Sequence, residues 1–310
     1  MADMVFSGVT FSGGYSITLP PPPSSKAIFG YGSSGSNLSI TNLVSNTGVV
    51  SNDTTGVGTT RQNLAGAGYG TDKAIFGYGQ TSSTVVSMTN LVSNTGVVGN
   101  DVTGVGSARY GVSGAGYGTD KAILGYGHIP FVGAQSLTNL VSNTGVVAND
   151  VASANPAGPW RGSAGYGTDK AIFVLGGSGP SEVNLVSNTG VVATSTSSVA
   201  TQRYGLAGAG YGSTGQAIFG YGYSTAYVSI TNLVSNTGVL ASDTTGVGTS
   251  RAYLAAAGYG GDKAIFGYGY GTTYVSMTNL VSNTGVVAND VTGVGTARSG
   301  LAAASYGYTA

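Results

Sequence analysis

Residues 254–287 read LAAAGYGGDKAIFGYGYGTTYVSMTNLVSNTGVV, and most of that text is written six times along the chain. The phrase NLVSNTG begins at Asn42, Asn90, Asn139, Asn184, Asn232 and Asn279, 45 to 49 residues apart. AIF or AIL begins at Ala27, Ala74, Ala122, Ala171, Ala217 and Ala264, and one arginine per copy recurs at Arg61, Arg109, Arg161, Arg203, Arg251 and Arg298. A self-similar period of about 40 to 50 residues is that of a propeller blade. Within the quoted copy, four short strands are expected. They are Leu254–Tyr259, Lys263–Tyr268, Tyr274–Val281, and a fourth starting at Val286 and Val287. Glycine stands where the turns need positive φ, as in Asn283-Thr284-Gly285. No segment sustains a 3.6-residue apolar period, so no helix is expected.

The first strand of each copy is nearly all Ala and Gly, which suits a strand crowded at a central axis. The second carries bulky Ile and Phe, which suit the space between blades. One blade cannot bury both its faces, so the repeats must close into a ring. The count of segments says how. The first AIF, at Ala27, has no small-residue strand before it, and the last such strand, Leu301 to Tyr306, has no AIF after it. The expected fold is all-β: a six-bladed β-propeller of 24 strands over residues 26–310. Residues 301–306 complete the first blade by pairing with residues 27–31. Residues 1–25 form a separate N-terminal segment.

Composition narrows the function. Of 310 residues, 41% are apolar and only 7% charged, with net charge zero. The basic footprint of a nucleic-acid binder is missing, as are polybasic membrane clusters. The longest apolar runs fall far short of a membrane span. The N-terminus lacks the basic and apolar regions of a secretory signal. There is no cysteine, so neither a disulfide nor a thiolate metal site is expected. A surface this poor in charge suits close association with other subunits.

The order of arginine, small-residue strand and apolar strand resembles the kelch family of propellers over residues 26–310. GYG usually stands in place of the family's Gly-Gly, which occurs once as Gly176-Gly177, and the family's late tryptophan is missing from most copies. The resemblance implies the fold and no particular kelch function. The opening MVFSGVTFSGGYSITLPPPP resembles the short N-termini of phage tail and virion proteins, and DKAIFGYG and TNLVSNTGVV resemble repeat proteins encoded by bacteriophages. These likenesses imply a virion protein in several copies per particle, joined to other virion proteins through residues 1–25. The run Pro20–Pro23 would act as a stiff spacer.

No enzyme is expected. Nearly every charge recurs at a repeated position, whereas a catalytic group should differ from its symmetry mates. The recurrent Lys and Asp are read as inter-strand or inter-blade pairs, and the six arginines as one structural position. A sialidase-like arginine cluster would need acidic partners, and Glu182 is the only glutamate. A copper site needs ligands beyond the single His128. The GxG turns join strand to strand, with no helix N-terminus to hold a phosphate. No cofactor or metal is therefore expected. The copies differ most in the loop between strands two and three. The candidate ligand or receptor residues are Tyr223, Tyr227, Tyr270, Tyr274, His128 and Phe131, with Trp160 from the divergent loop 151–160. Aromatic and polar side chains together suit a host surface glycan or a protein contact. The expected function is a non-enzymatic fibre, tail-tip or decoration protein presenting a receptor-binding face. A free carbohydrate-binding lectin or adhesin is the competing reading.

Overall fold

The computed structural model describes residues 24–153, 155–174, 176 and 181–309. The proposed anchor therefore lies outside the described residues except for Ser24 and Ser25. Among the described residues the chain is all-β, with 22 strands, no helix, and antiparallel pairing throughout. Six sheets repeat one plan. Their middle strands are Ser24–Gly30, Lys73–Gly77, Lys121–Gly125, Lys170–Val174, Gln216–Gly220 and Lys263–Tyr270. Each lies between a small-residue strand and a TNLV-type strand. The small-residue strands are Ala302–Thr309, Ala65–Tyr69, Ser113–Tyr117, Gly162–Tyr166, Ala207–Tyr211 and Ala255–Tyr259. A two-stranded hairpin, His128–Ile129 with Gly133–Ala134, makes a seventh, minor sheet.

The last strand pairs with the first as the segment count requires. Lys26 faces Tyr306, Ile28 faces Ala304, and Gly30 faces Ala302. Each small-residue strand touches the next in order, and the strand Ala302–Thr309 touches both Ala255–Tyr259 and Ala65–Tyr69, so the contacts form a closed cycle. Two loops of backbone hydrogen bonds run round this cycle. At one end Gly70, Gly118, Gly167, Gly212, Gly260 and Gly307 each donate N–H to a carbonyl of a neighbouring sheet, at 2.7–2.8 Å. At the other end Asn63 donates to Gly300, Gly300 to Tyr253, Tyr253 to Gly205, Gly205 to Trp160, Trp160 to Gly111, and Gly111 back to Asn63.

All six residues of this second loop have φ between 54° and 65°, a left-handed conformation that costs a bulky residue energy. Large residues alternate with glycine around it for a steric reason. A Cβ at Gly300 would stand 2.8 Å from Asn63 Oδ1, and one at Gly111 would stand 2.8 Å from Pro159 Cβ. Each glycine makes room for the side chain of its neighbour.

The core lies between adjacent sheets. Phe29, Phe76, Leu124, Phe173 and Phe266 are fully buried there. Burying such side chains contributes about 1.5–3 kcal/mol each. The fourth strands differ from expectation. Only Val151–Ala152 and Thr196–Ser197 pair as strands. Elsewhere isolated bridges remain, such as Val281 with Val287 and Thr278 with Val291. Between those bridges a side chain takes over from the backbone ladder. Asn279 Nδ2 donates to Ala288 O at 3.0 Å and to Asp290 Oδ1 at 2.9 Å.

The recurrent arginines are buried. Arg251 Nε donates to Tyr268 O, Nη1 to Thr249 O and Nη2 to Asn279 Oδ1, all within 2.9 Å. Its guanidinium lies 4.2 Å from the ring centre of Tyr221 in the preceding sheet. Asp290 holds Thr249, on the crossover between sheets, through backbone N–H and hydroxyl. The same network at Asp53, Thr296 and Arg298 ties the two ends of the chain together.

One arginine breaks the expectation of a single repeat position. Arg161 immediately precedes its strand, Gly162–Tyr166, whereas Arg61 stands four residues before Ala65–Tyr69. Its longer reach still sets the guanidinium 4.2 Å from the centre of Tyr126. In that copy Asn155 and Ser195 take the places of the Thr and Asp, with Ser195 N donating to Asn155 Oδ1 at 2.8 Å.

The aspartates of this network give an acid limit to stability. Burial pushes the carboxyls of Asp53, Asp101, Asp150, Asp243 and Asp290 upward. Hydrogen bonds from Thr or Ser and Asn, with the nearby arginine charge, outweigh it and hold them below the ordinary value of 3.8. A depressed folded-state pKa stabilises the fold above the unfolded value, and that stability is lost as pH falls through the folded one. The melting temperature is therefore expected to hold steady down to about pH 4 and then to fall as pH drops further. A thermal series across that range checks this, and a flat profile would contradict it.

Candidate functional site

An isolated bridge that follows every arginine but Arg161 builds the site. It sets the residue after the arginine opposite the residue after GYG: Tyr110 with His128, Tyr204 with Tyr223, Ala252 with Tyr270, Gln62 with Gln80, and Ser299 with Ser33. Aromatic side chains occupy this station only in the third, fifth and sixth sheets, and the fourth contributes Trp160 from the hydrogen-bonded loop. Ring contacts join them into one band. His128 lies 5.3 Å from Tyr110 and Tyr110 5.7 Å from Trp160. Trp160 lies 6.2 Å from Tyr204 and 6.0 Å from Tyr253, and Tyr204 lies 5.5 Å from Tyr223. Tyr223 continues to Tyr227 at 5.1 Å, Tyr227 to Tyr270 at 6.1 Å, and Tyr270 to Tyr274 at 5.0 Å.

Six of the seven expected residues thus come together: Tyr223, Tyr227, Tyr270, Tyr274, His128 and Trp160. Phe131 stands apart. It is fully exposed at the tip of the His128–Ala134 hairpin and makes no ring contact among the described residues. The loop offers no partner strand long enough to fold it back onto the band. Tyr110, Tyr204 and Tyr253 were not anticipated. A signal for two of them exists in the sequence, since four of the five bridged stations match in type, Ser with Ser, Gln with Gln, and Tyr with His or Tyr, Ala252 with Tyr270 being the exception.

Every ring of the band is half-buried, with an edge or face to solvent. Burial, then the neighbouring Tyr270 and Tyr223, pushes Tyr227 up, and burial pushes Tyr253 up strongly. The recurrent arginines point into their buried networks, so the band offers phenol, indole and imidazole groups rather than fixed charge. Trp160 and Tyr253 also line a narrow axial cavity of about 100 Å³ at this end of the small-residue strands.

The opposite end opens into a wider mouth of about 440 Å³. Tyr69, Tyr117, Tyr166, Tyr211, Tyr259 and Tyr306 line it with Lys73, Lys121, Lys170 and Lys263. These lysines do not pair across strands or sheets as expected. Each bonds the aspartate preceding it in the same turn, at 2.6–2.9 Å. The turn is too tight, and the lysine too near its own neighbour, for a longer reach. Ser25 belongs to this mouth, at the end opposite the aromatic band.

No protein-family model matches the chain, and no curated protein matches it.

Proposed function

We propose that the six sheets are the blades of a six-bladed β-propeller, and that the chain is a non-enzymatic component of a bacteriophage particle. It presents its aromatic face to a glycan on the host surface. The observation that carries this reading is the continuous band from His128 to Tyr274. Aromatic faces stack on the apolar faces of sugars, while phenol hydroxyls bond sugar hydroxyls; Trp160, whose Nε1 is buried, offers its ring alone. A band without fixed charge favours neutral glycans over acidic ones. The cycle of strand contacts supports the propeller, and the position of Ser25 supports a division of labour. Residues 1–25 lead from one end to the particle, and the band faces outward from the other. Many copies per particle would let weak sugar contacts add up. A free lectin is the second reading, favoured by the same band and separated from the first by what residues 1–23 do.

The test has two arms. A quadruple variant changing Tyr223, Tyr227, Tyr270 and Tyr274 to Ala is expected to fold and assemble, yet to lose glycan-array binding and cell adsorption by about tenfold or more. Normal adsorption by that variant would remove the band as the receptor site. A chain lacking residues 1–23 is expected to fold and keep glycan binding but fail to join the particle. Normal incorporation of the shortened chain would end the anchoring role.

A further inference from the structure

The aromatic band ends at Tyr110 and His128, and the same bridge position in the neighbouring second sheet carries two amides. Gln62 and Gln80 face each other there, joined by backbone bonds of 3.0 Å and 2.9 Å. Directly opposed residues of an antiparallel pair send their side chains to one face, so these amides stand side by side as Tyr110 and His128 do. A third amide joins them. Asn63 follows Gln62 and lines the axial cavity with Trp160 and Tyr253. Asparagine tolerates the left-handed backbone of that position. Trp160 and Tyr253 hold the equivalent places at φ of 55° and 54°, so the backbone alone does not call for an amide.

The three groups are open. Each residue is half-buried, and no protein hydrogen bond among the described residues uses its side-chain amide. Two backbone bonds set the cluster against the end of the band. Gly79 N donates to Arg109 O at 3.0 Å, with Gln80 and Tyr110 as the next residues, and Gly111 N donates to Asn63 O at 2.8 Å. Beyond the cluster the first sheet carries Ser299 opposite Ser33. Around one ring of equivalent positions, an aromatic arc therefore gives way to a polar arc without charge.

We propose that Gln62, Asn63 and Gln80 are the hydrogen-bonding half of the glycan site, and that they decide which neutral sugar is bound. The inference rests on the reading of the band as a glycan surface. Stacking touches the C–H face of a sugar and reads little of its hydroxyl pattern. A primary amide offers an acceptor oxygen and an N–H donor close together, which matches two neighbouring hydroxyls, each able to donate and accept. Apolar contacts discriminate weakly between sugars that differ by one hydroxyl, whereas a site that hydrogen-bonds the hydroxyl rejects the analogue lacking it far more strongly. The amides adjoin Tyr110, so a sugar chain lying on the band brings the unit at that end within their reach.

The test uses the full chain on an array of neutral gluco-, galacto- and manno-oligosaccharides. Calorimetric titration with the tightest binder and its monodeoxy analogues then follows. The unaltered chain is expected to reject at least one analogue by about tenfold or more. Q62A/Q80A should bind the parent sugar about tenfold more weakly and no longer distinguish it from that analogue. The ratio of the two affinities does not depend on how much of the variant is folded. Full discrimination by Q62A/Q80A overturns the inference and leaves the band as a glycan site, as does equal binding of parent and every analogue by the unaltered chain. An unaltered chain that binds no sugar of the array ends the glycan reading and the inference together.

Discussion

A chain lacking residues 299–310 is expected either to fail to fold or to melt lower by about 10 °C or more. The deleted strand pairs with residues 26–30 on one side and packs between two neighbouring small-residue strands. It buries Leu301, Ala302, Ala304 and Tyr306, each at most 5% exposed. Its loss also removes Gly300 and Gly307, one member of each hydrogen-bonded loop. The strand Ser24–Gly30 would then present a bare edge, a template for aggregation. Calorimetry with size-exclusion chromatography reads both effects. A shortened chain that stays monomeric and melts like the full one would contradict the closed ring.

Replacing Arg251 by Ala is expected to cost about 3–5 kcal/mol of stability, the range for breaking a buried charged contact by removing one partner. Three acceptors lose their donor at once, and Tyr268 O and Asn279 Oδ1 are left buried without it. Lysine should not restore the loss, since an ammonium cannot fork between Asn279 and Tyr268 while lying flat on Tyr221. Arg161→Ala should cost less. Among the described residues that guanidinium bonds Pro156 O at 2.8 Å and Asn184 at 3.3 Å, and its Nε has no partner there. Urea unfolding of the three variants measures the order. Glycan binding by folded Arg251→Ala should be unchanged, and a selective loss of binding at native stability would make the arginine a ligand contact instead.

Much of the fold was legible because the chain repeats its own test six times. A single AIF or GYG says little, but six copies at nearly constant spacing average out local drift, and the unmatched first and last segments reveal the pairing of Lys26–Gly30 with Ala302–Tyr306. The candidate site was legible in part. Tyr223, Tyr227, Tyr270 and Tyr274 stood out because they fall in the loops where copies diverge. Tyr110 and Tyr204 did not, since each follows an arginine outside those loops, and only the bridges Tyr110 to His128 and Tyr204 to Tyr223 set the two stretches side by side. Phe131 looked like a member because it is aromatic and lies in the same loop as His128, yet its hairpin carries it away.

The amino-acid sequence by itself determined the strand text, its order, the all-β class and the pairing of the two ends. Those follow from local pattern and from counting segments that must find partners. Only the tertiary structure decided which side chains from distant copies share one surface. Tyr253 and Trp160 meet Tyr204 because a left-handed, hydrogen-bonded loop draws three crossovers to one axis, with Gly205 leaving the space. Arg161 reaches the common arginine site from a shifted backbone position because a long side chain can make up the difference. Each of these depends on distances across copies, which linear spacing does not encode.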